Sequence, residues 1–210
     1  MFMFQKVRSL VIERFTGSSN ILTMRLAILT FIVLTSFTST VKSFAQDYQL
    51  IESRLTSIYT LNLQLRSKVM PTIQKYGVES PQMDTLNAQI LEFDSLALAY
   101  VTNVLENHGW LGKSTIGEAG NQALFVTIQH ASSELRKKYF PMLAQSAALN
   151  ESDPSSMATM LDRMLVDEGK PQIYGTQSRM VDGELKLYPI EDPKNVNKKR
   201  KKVGLKKLKI

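Results

Sequence analysis

Apolar residues at Ile51, Leu55, Ile58, Leu65 and Val69 recur at spacings that an α-helix gathers on one side. The pattern predicts a stop or bend at Pro71, whose ring clashes with the carbonyl four residues earlier in a helix interior. Ser80-Pro81 supplies an N-cap and a first-turn proline for a second stripe of Leu86, Ile90, Phe93, Ala97, Tyr100 and Val104, which ends at Gly109. Thr115 and Glu118 fit a capping box for a third helix through residues 118–130. A fourth opens near Ser132 or Ser133 and carries Leu135, Tyr139, Met142 and Leu143, with Pro141 predicting a kink or restart. Asp153-Pro154 begins the clearest helix, striped by Met157, Met160, Leu161, Met164 and Leu165 and closed by Gly169 and Pro171. Beyond it the period changes from helical to alternating, and Asp182-Gly183 predicts a β-hairpin within residues 176–190. Two strands alone are marginal in water, so the hairpin is expected to lean on the helices. Asp192-Pro193 then opens a short helix reaching Lys202. The pattern therefore predicts a mainly α fold: a single helical domain over residues 46–193, of about five to six helices with a small C-terminal hairpin.

The two ends change this picture. Met24 to Ala45 has one Arg near its start, an apolar run from Leu26 to Phe37, and Ser43-Phe44-Ala45 at its close. The run is shorter than the roughly 20 residues a spanning helix needs, and small residues stand at the −3 and −1 positions. Residues 24–45 thus read as a secretory signal peptide cleaved near Ala45, which predicts an exported protein, periplasmic or secreted. Residues 1–23 are expected to be an extension upstream of a true start at Met24. The chain has no cysteine, so neither disulfides nor a lipid-bearing cysteine follow from export. Its formal charge of +7 is unevenly spread: residues 194–210 carry nine Lys/Arg and no acid, while residues 46–193 carry 12 Lys/Arg against 18 Asp/Glu, a net charge of −6. An acidic body argues against nucleic acid as the main partner. The basic tail, 194–210, is read first as a solvated face and second as a weak contact for an anionic envelope surface.

No phosphate-binding glycine loop, nucleophile elbow, metal-binding Cys/His set or paired-histidine motif is present, so no metal and no cofactor are expected. His108 stands at a helix end, where a cation suits the dipole. Gln129-His130 ends an apolar helix and is expected close to the core, and a histidine there is open to general-base chemistry as well as to plain hydrogen bonding. Asp162-Arg163 lies within the methionine-rich helix, with Asp162 expected at the edge of its apolar face. After Gly169 the chain must satisfy its main-chain groups before the hairpin takes over. Gln172, Tyr174, Thr176 and Gln177 can serve that end, while Gly175 permits a close approach or a positive φ.

The order Gly109-Trp110, Gln129-His130-Ala131, Leu161-Asp162-Arg163, then Pro171-Gln172-x-Tyr174-Gly175-Thr176-Gln177 resembles a family of uncharacterised bacterial proteins, the domain of unknown function 6624 family. Pro189 to Asp192, Arg200 and Gly204-Leu205 match its C-terminal signature, and Tyr59, Arg66 and Asp94 extend the likeness into the first helices. Members usually have a proline where Leu111 stands here, and an Asp-Gln pair in place of Asn62-Leu63. The resemblance implies no known reaction. The leading expectation is that Gln129, His130, Asp162, Arg163, Gln172, Tyr174, Gly175, Thr176 and Gln177 converge into one polar cluster, either a structural network or a small polar ligand site. The rival is a hydrolase with His130 as general base, oriented by Asp162, and the third reading is a cell-envelope interaction module.

Overall fold

The structure, a computed structural model, describes residues 46–181 and 184–209. The predicted extension, the signal segment and the Asp182-Gly183 turn lie outside the described residues. Residues from Tyr48 onward form one compact unit. Its elements in chain order are a helix through residue 66 (α1), then α2 (Val69–Tyr76), α3 (Pro81–His108), α4 (Lys113–His130), α5 (Ser133–Ala148), α6 (Pro154–Asp167), strands β1 (Ser178–Val181) and β2 (Glu184–Leu187), and α7 (Val196–Lys202). The fold is mainly α with a two-stranded C-terminal hairpin.

Local chemistry accounts for most helix starts. Ser80 accepts the Met83 amide at 3.2 Å with Pro81 in the first turn of α3, Ser132 accepts the Leu135 amide, and Asp153 accepts the Ser155 amide at 2.9 Å. Two boundaries differ from the sequence pattern. The break between α1 and α2 falls at Ser67-Lys68, and Pro71 sits in the first turn of α2. The ring disfavours the carbonyl four residues back, which is Ser67, so the bend precedes the proline. Thr115 and Glu118 do not cap α4. That helix starts at Lys113 and departs from helical angles at Ile116 and Gly117. Its first turn is held by Glu151, whose Oε2 accepts from the Ser114 amide at 3.0 Å and hydroxyl at 2.8 Å.

The helix α4 packs against α3, α5 and α6 and carries the centre of the core. Leu124 and Ile128 of α4 are fully buried with Leu55, Val101, Leu143 and Met160. A second cluster of Met83, Leu86 and Ile90 lies under Leu65, Val69 and Ile73, where α2 meets α3. Burying one such side chain is worth ~1.5–3 kcal/mol, so these contacts dominate the stability of the bundle.

The hairpin contributes little of that kind. Its strands pair antiparallel from Ser178↔Leu187 to Val181↔Glu184, and nearly all their residues are exposed. It therefore does not lean on the helices through its side chains; polar contacts at its base anchor it. The basic C-terminal segment is likewise part of the compact unit, since Val196, Arg200 and Val203 are buried. Its last residues fold back until Leu208 and Ile190 close over Gly175, which has φ +67°. A Cβ there would lie 2.8 Å from Leu208 and 2.9 Å from Ile190. Gly175→Ala is expected to lose about 2–4 kcal/mol, from left-handed backbone strain and overpacking together. Urea denaturation reads this directly, and a variant as stable as the parent would contradict the packing described.

Candidate functional site

The loop that follows α6 has few main-chain partners of its own. Between Gly169, at φ 70°, and the hairpin, the chain forms a bridge of Gln172 with Ile190. Three of the loop's other amides converge on one carboxylate. Asp162, fully buried in α6, accepts from the amides of Ile173 at 2.7 Å, Tyr174 at 3.0 Å and Thr176 at 3.0 Å, and from the Thr176 hydroxyl at 2.9 Å. A carboxylate withdrawn from water needs such partners, and here they are backbone donors instead of a cation. Asp162 is thus the centre of a closed polar nest.

The same loop is gripped from its other side. Arg200 of α7 donates through Nη1 to the carbonyls of Tyr174 at 2.7 Å and Gly175 at 3.2 Å, and through Nε to that of Lys206 at 2.6 Å. An acid holds the N–H groups and a base holds the C=O groups of one short segment. Buried Gln172 ties the hairpin into this clasp: Nε2 donates to the carbonyls of Gln177 and Tyr188, both at 2.9 Å, while Oε1 accepts the Gln177 amide at 2.8 Å. Gln177 in turn donates to the Thr159 carbonyl and to the Thr176 hydroxyl. Tyr174 takes part through its main chain, and its phenol makes no hydrogen bond among the described residues.

His130, Gln129 and Arg163 fall in a second group. Arg66 of α1 donates from Nη2 to both oxygens of Asp94 on α3, each at 2.8 Å. Arg136 of α5 is buried and reaches the carbonyls of Gln129 and Ala131 and the carboxylate of Asp167. Arg163 approaches Asp167 at 3.6 Å, one helical turn along α6. His130, at the end of α4, reaches the surface, yet its imidazole is crowded enough that desolvation pushes its pKa down to about 4. The guanidinium charges of Arg66, Arg163 and Arg136 add to that depression, against an opposing pull from Asp94. His130 is therefore neutral near pH 7. Three buried side-chain atoms of this group have no hydrogen-bond partner among the described residues: Arg66 Nε, Gln129 Oε1 and Arg136 Nε.

The nine residues singled out in the sequence thus divide between two clusters on either side of α6. Successive residues project about 100° apart around a helix, so Asp162 faces the loop while its neighbour Arg163 faces the histidine cluster. No hydrogen bond joins His130 to Asp162 among the described residues, and the carboxylate bearing on His130 is Asp94. Arg136 and Asp167 carried no sequence signal, being charged residues on otherwise ordinary amphipathic helices. The open cleft of about 540 Å³ beside Trp110, Gln145 and Glu151 belongs to neither cluster. Trp110 donates to Ser152 at its edge at 3.1 Å. Among the described residues no group of three or more His, Cys, Asp or Glu is placed to hold a metal ion.

Comparison with known proteins gives one match: the model of a family of unknown function, DUF6624, covers residues 63–210. No curated protein and no solved structure matches.

Two outcomes test this geometry. Asp162→Asn replaces a charged acceptor by one carbonyl and an amide facing other donors, so it is expected to cost about 3 kcal/mol or more in unfolding free energy at pH 7. A loss below about 1 kcal/mol would contradict the clasp. The His130 ring, followed by NMR, is expected to titrate near pH 4. Because the unfolded value is about 6.5, the unfolded chain binds the proton first. The stability associated with neutral His130 is complete above pH 6.5 and is lost as the pH falls towards 4. His130→Gln is expected to flatten that slope, and an unchanged slope would sink the assignment.

Proposed function

The chain belongs to the DUF6624 family, a family of unknown function, and we propose that it is an exported helical domain that binds a small anionic ligand at the histidine–arginine cluster. In this reading the Asp162 clasp is scaffold, and Arg66, Gln129, His130, Arg136 and Arg163 form the site. One observation carries it. Among the described residues, two buried guanidinium donors of this cluster, Arg66 Nε and Arg136 Nε, have no hydrogen-bond partner, whereas buried groups are almost always hydrogen-bonded. Three guanidiniums against the carboxylates of Asp94 and Asp167, around a neutral imidazole, leave a surplus of positive charge for an anion. The signal-like segment at residues 24–45 supports export. No helix among the described residues is long and apolar enough to cross a membrane.

Binding is favoured over hydrolysis on two physical grounds. A base with a pKa of about 4 is weak for proton abstraction at neutral pH. Every acceptor direction of Asp162 is turned to the loop, so it is not free to orient His130. His130 then serves as a neutral hydrogen-bonding group beside the guanidiniums.

Thermal melting of the chain in phosphate, sulfate or small carboxylates tests the reading. A binding anion at a hundredfold excess over its Kd stabilises by about 2.7 kcal/mol, a rise of roughly 5–10 °C for a domain of this size. Arg163→Gln, at a half-exposed side chain, is expected to remove that rise while leaving the unliganded melt near that of the parent, and Arg66→Gln is expected to remove it with a lower starting melt, because Asp94 loses its partner. A rise that persists in both variants, or one produced equally by neutral molecules, would place the site elsewhere.

A further inference from the structure

Residues 194–210 hold eight Lys and one Arg without a single acid, and the structure shows how they are presented. The one arginine, Arg200, is turned inward and spent on backbone carbonyls. Lys199 is held by Glu191 at 3.3 Å. Lys198, Lys201, Lys202, Lys206 and Lys207 are exposed and form no ion pair among the described residues. The segment beneath them is fixed: Val196 and Val203 are buried, and Asn197 exchanges two hydrogen bonds with Leu208, at 2.7 and 3.1 Å. Unpaired cations are thus held in place before any partner arrives, so little ordering entropy is lost on contact.

We propose that this segment is a preformed docking face for an anionic lipid surface. The choice of partner follows from the side chains. Nucleic-acid surfaces commonly offer aromatic rings for stacking and arginine forks for phosphates and base edges. Residues 189–210 contain no aromatic residue, and their arginine is buried. Lysine ammonium groups are compact point charges that suit a diffuse field of headgroups. The acidic balance of residues 46–193 adds orientation, because an anionic surface attracts the lysine face and repels the remaining surface.

Each lysine near such a surface contributes about 1 kcal/mol, or about fivefold in partitioning. The full chain is expected to sediment with vesicles of mixed phosphatidylglycerol and phosphatidylcholine at low salt, and to be released as salt rises through the physiological range. Replacing Lys198, Lys201, Lys202 and Lys206 together by Gln is expected to weaken partitioning at least a hundredfold, while Lys→Arg at the same positions preserves it. Comparing variants with the parent on both vesicle types cancels any contribution of the apolar N-terminal run. Equal binding to pure phosphatidylcholine, insensitivity to salt in the unsubstituted chain, or equal binding by the Gln variant would overturn the proposal. Tighter binding to a DNA duplex than to the anionic vesicles at the same salt would assign the face to a different partner and also overturn it.

Discussion

A carboxylate removed from water must find hydrogen-bond donors, and in this chain Asp162 finds them in the loop that follows its own helix. The constraint runs both ways. Amides at 173, 174 and 176 have no helix or sheet to pair with, and the Thr176 hydroxyl joins them at the same acid. Removing either side would leave the other buried and unsatisfied, at a cost of about 1–3 kcal/mol per group. From this contact the C-terminal third is built outward. Arg200 locks the loop carbonyls and so docks α7, Gln172 joins the loop to both strands, and Leu208 closes over Gly175. A hairpin with almost no buried side chains is thereby held by a buried amide at its base.

The same helix supports a second polar system with different character. The clasp is closed, with the amides of Ile173, Tyr174, Thr176 and Gln177 each matched to an acceptor. The other cluster along α6 is open in the chemical sense, with buried nitrogens and an amide oxygen left without partners among the described residues. A satisfied network rigidifies; an unsatisfied one at the junction of several helices is where a ligand gains most. The adjacency of Asp162 and Arg163 in sequence therefore couples the clasp to the proposed site: shifting the helix to disturb one would move the other.

Much of the fold was legible because its causes are local. Ser80-Pro81, Ser132 and Asp153-Pro154 each cap a helix within three residues of themselves, and Val181↔Glu184 pairing leaves two residues for the connection. What could not be read has causes distant along the chain. Glu151 caps α4 from 37 residues away, so the nearby Thr115 and Glu118 misled. Asp162 is stabilised by backbone amides, which leave no trace in a side-chain pattern, and its complete burial was invisible for that reason. One linear string of motif residues could not show that Asp162 and Arg163, about 100° apart around the helix, serve different clusters. Arg136 and Asp167 escaped because an ion pair between two helices looks, in sequence, like two solvated charges.

The account stands on the loop amides being bound to Asp162 in the native state. Native-state hydrogen exchange of the Ile173, Tyr174 and Thr176 amides measures this most directly. If the clasp exists, these loop amides exchange only as slowly as those of the buried helix α4, with an opening free energy close to that of global unfolding. Exchange at the rate of an open loop, independent of global stability, would contradict it.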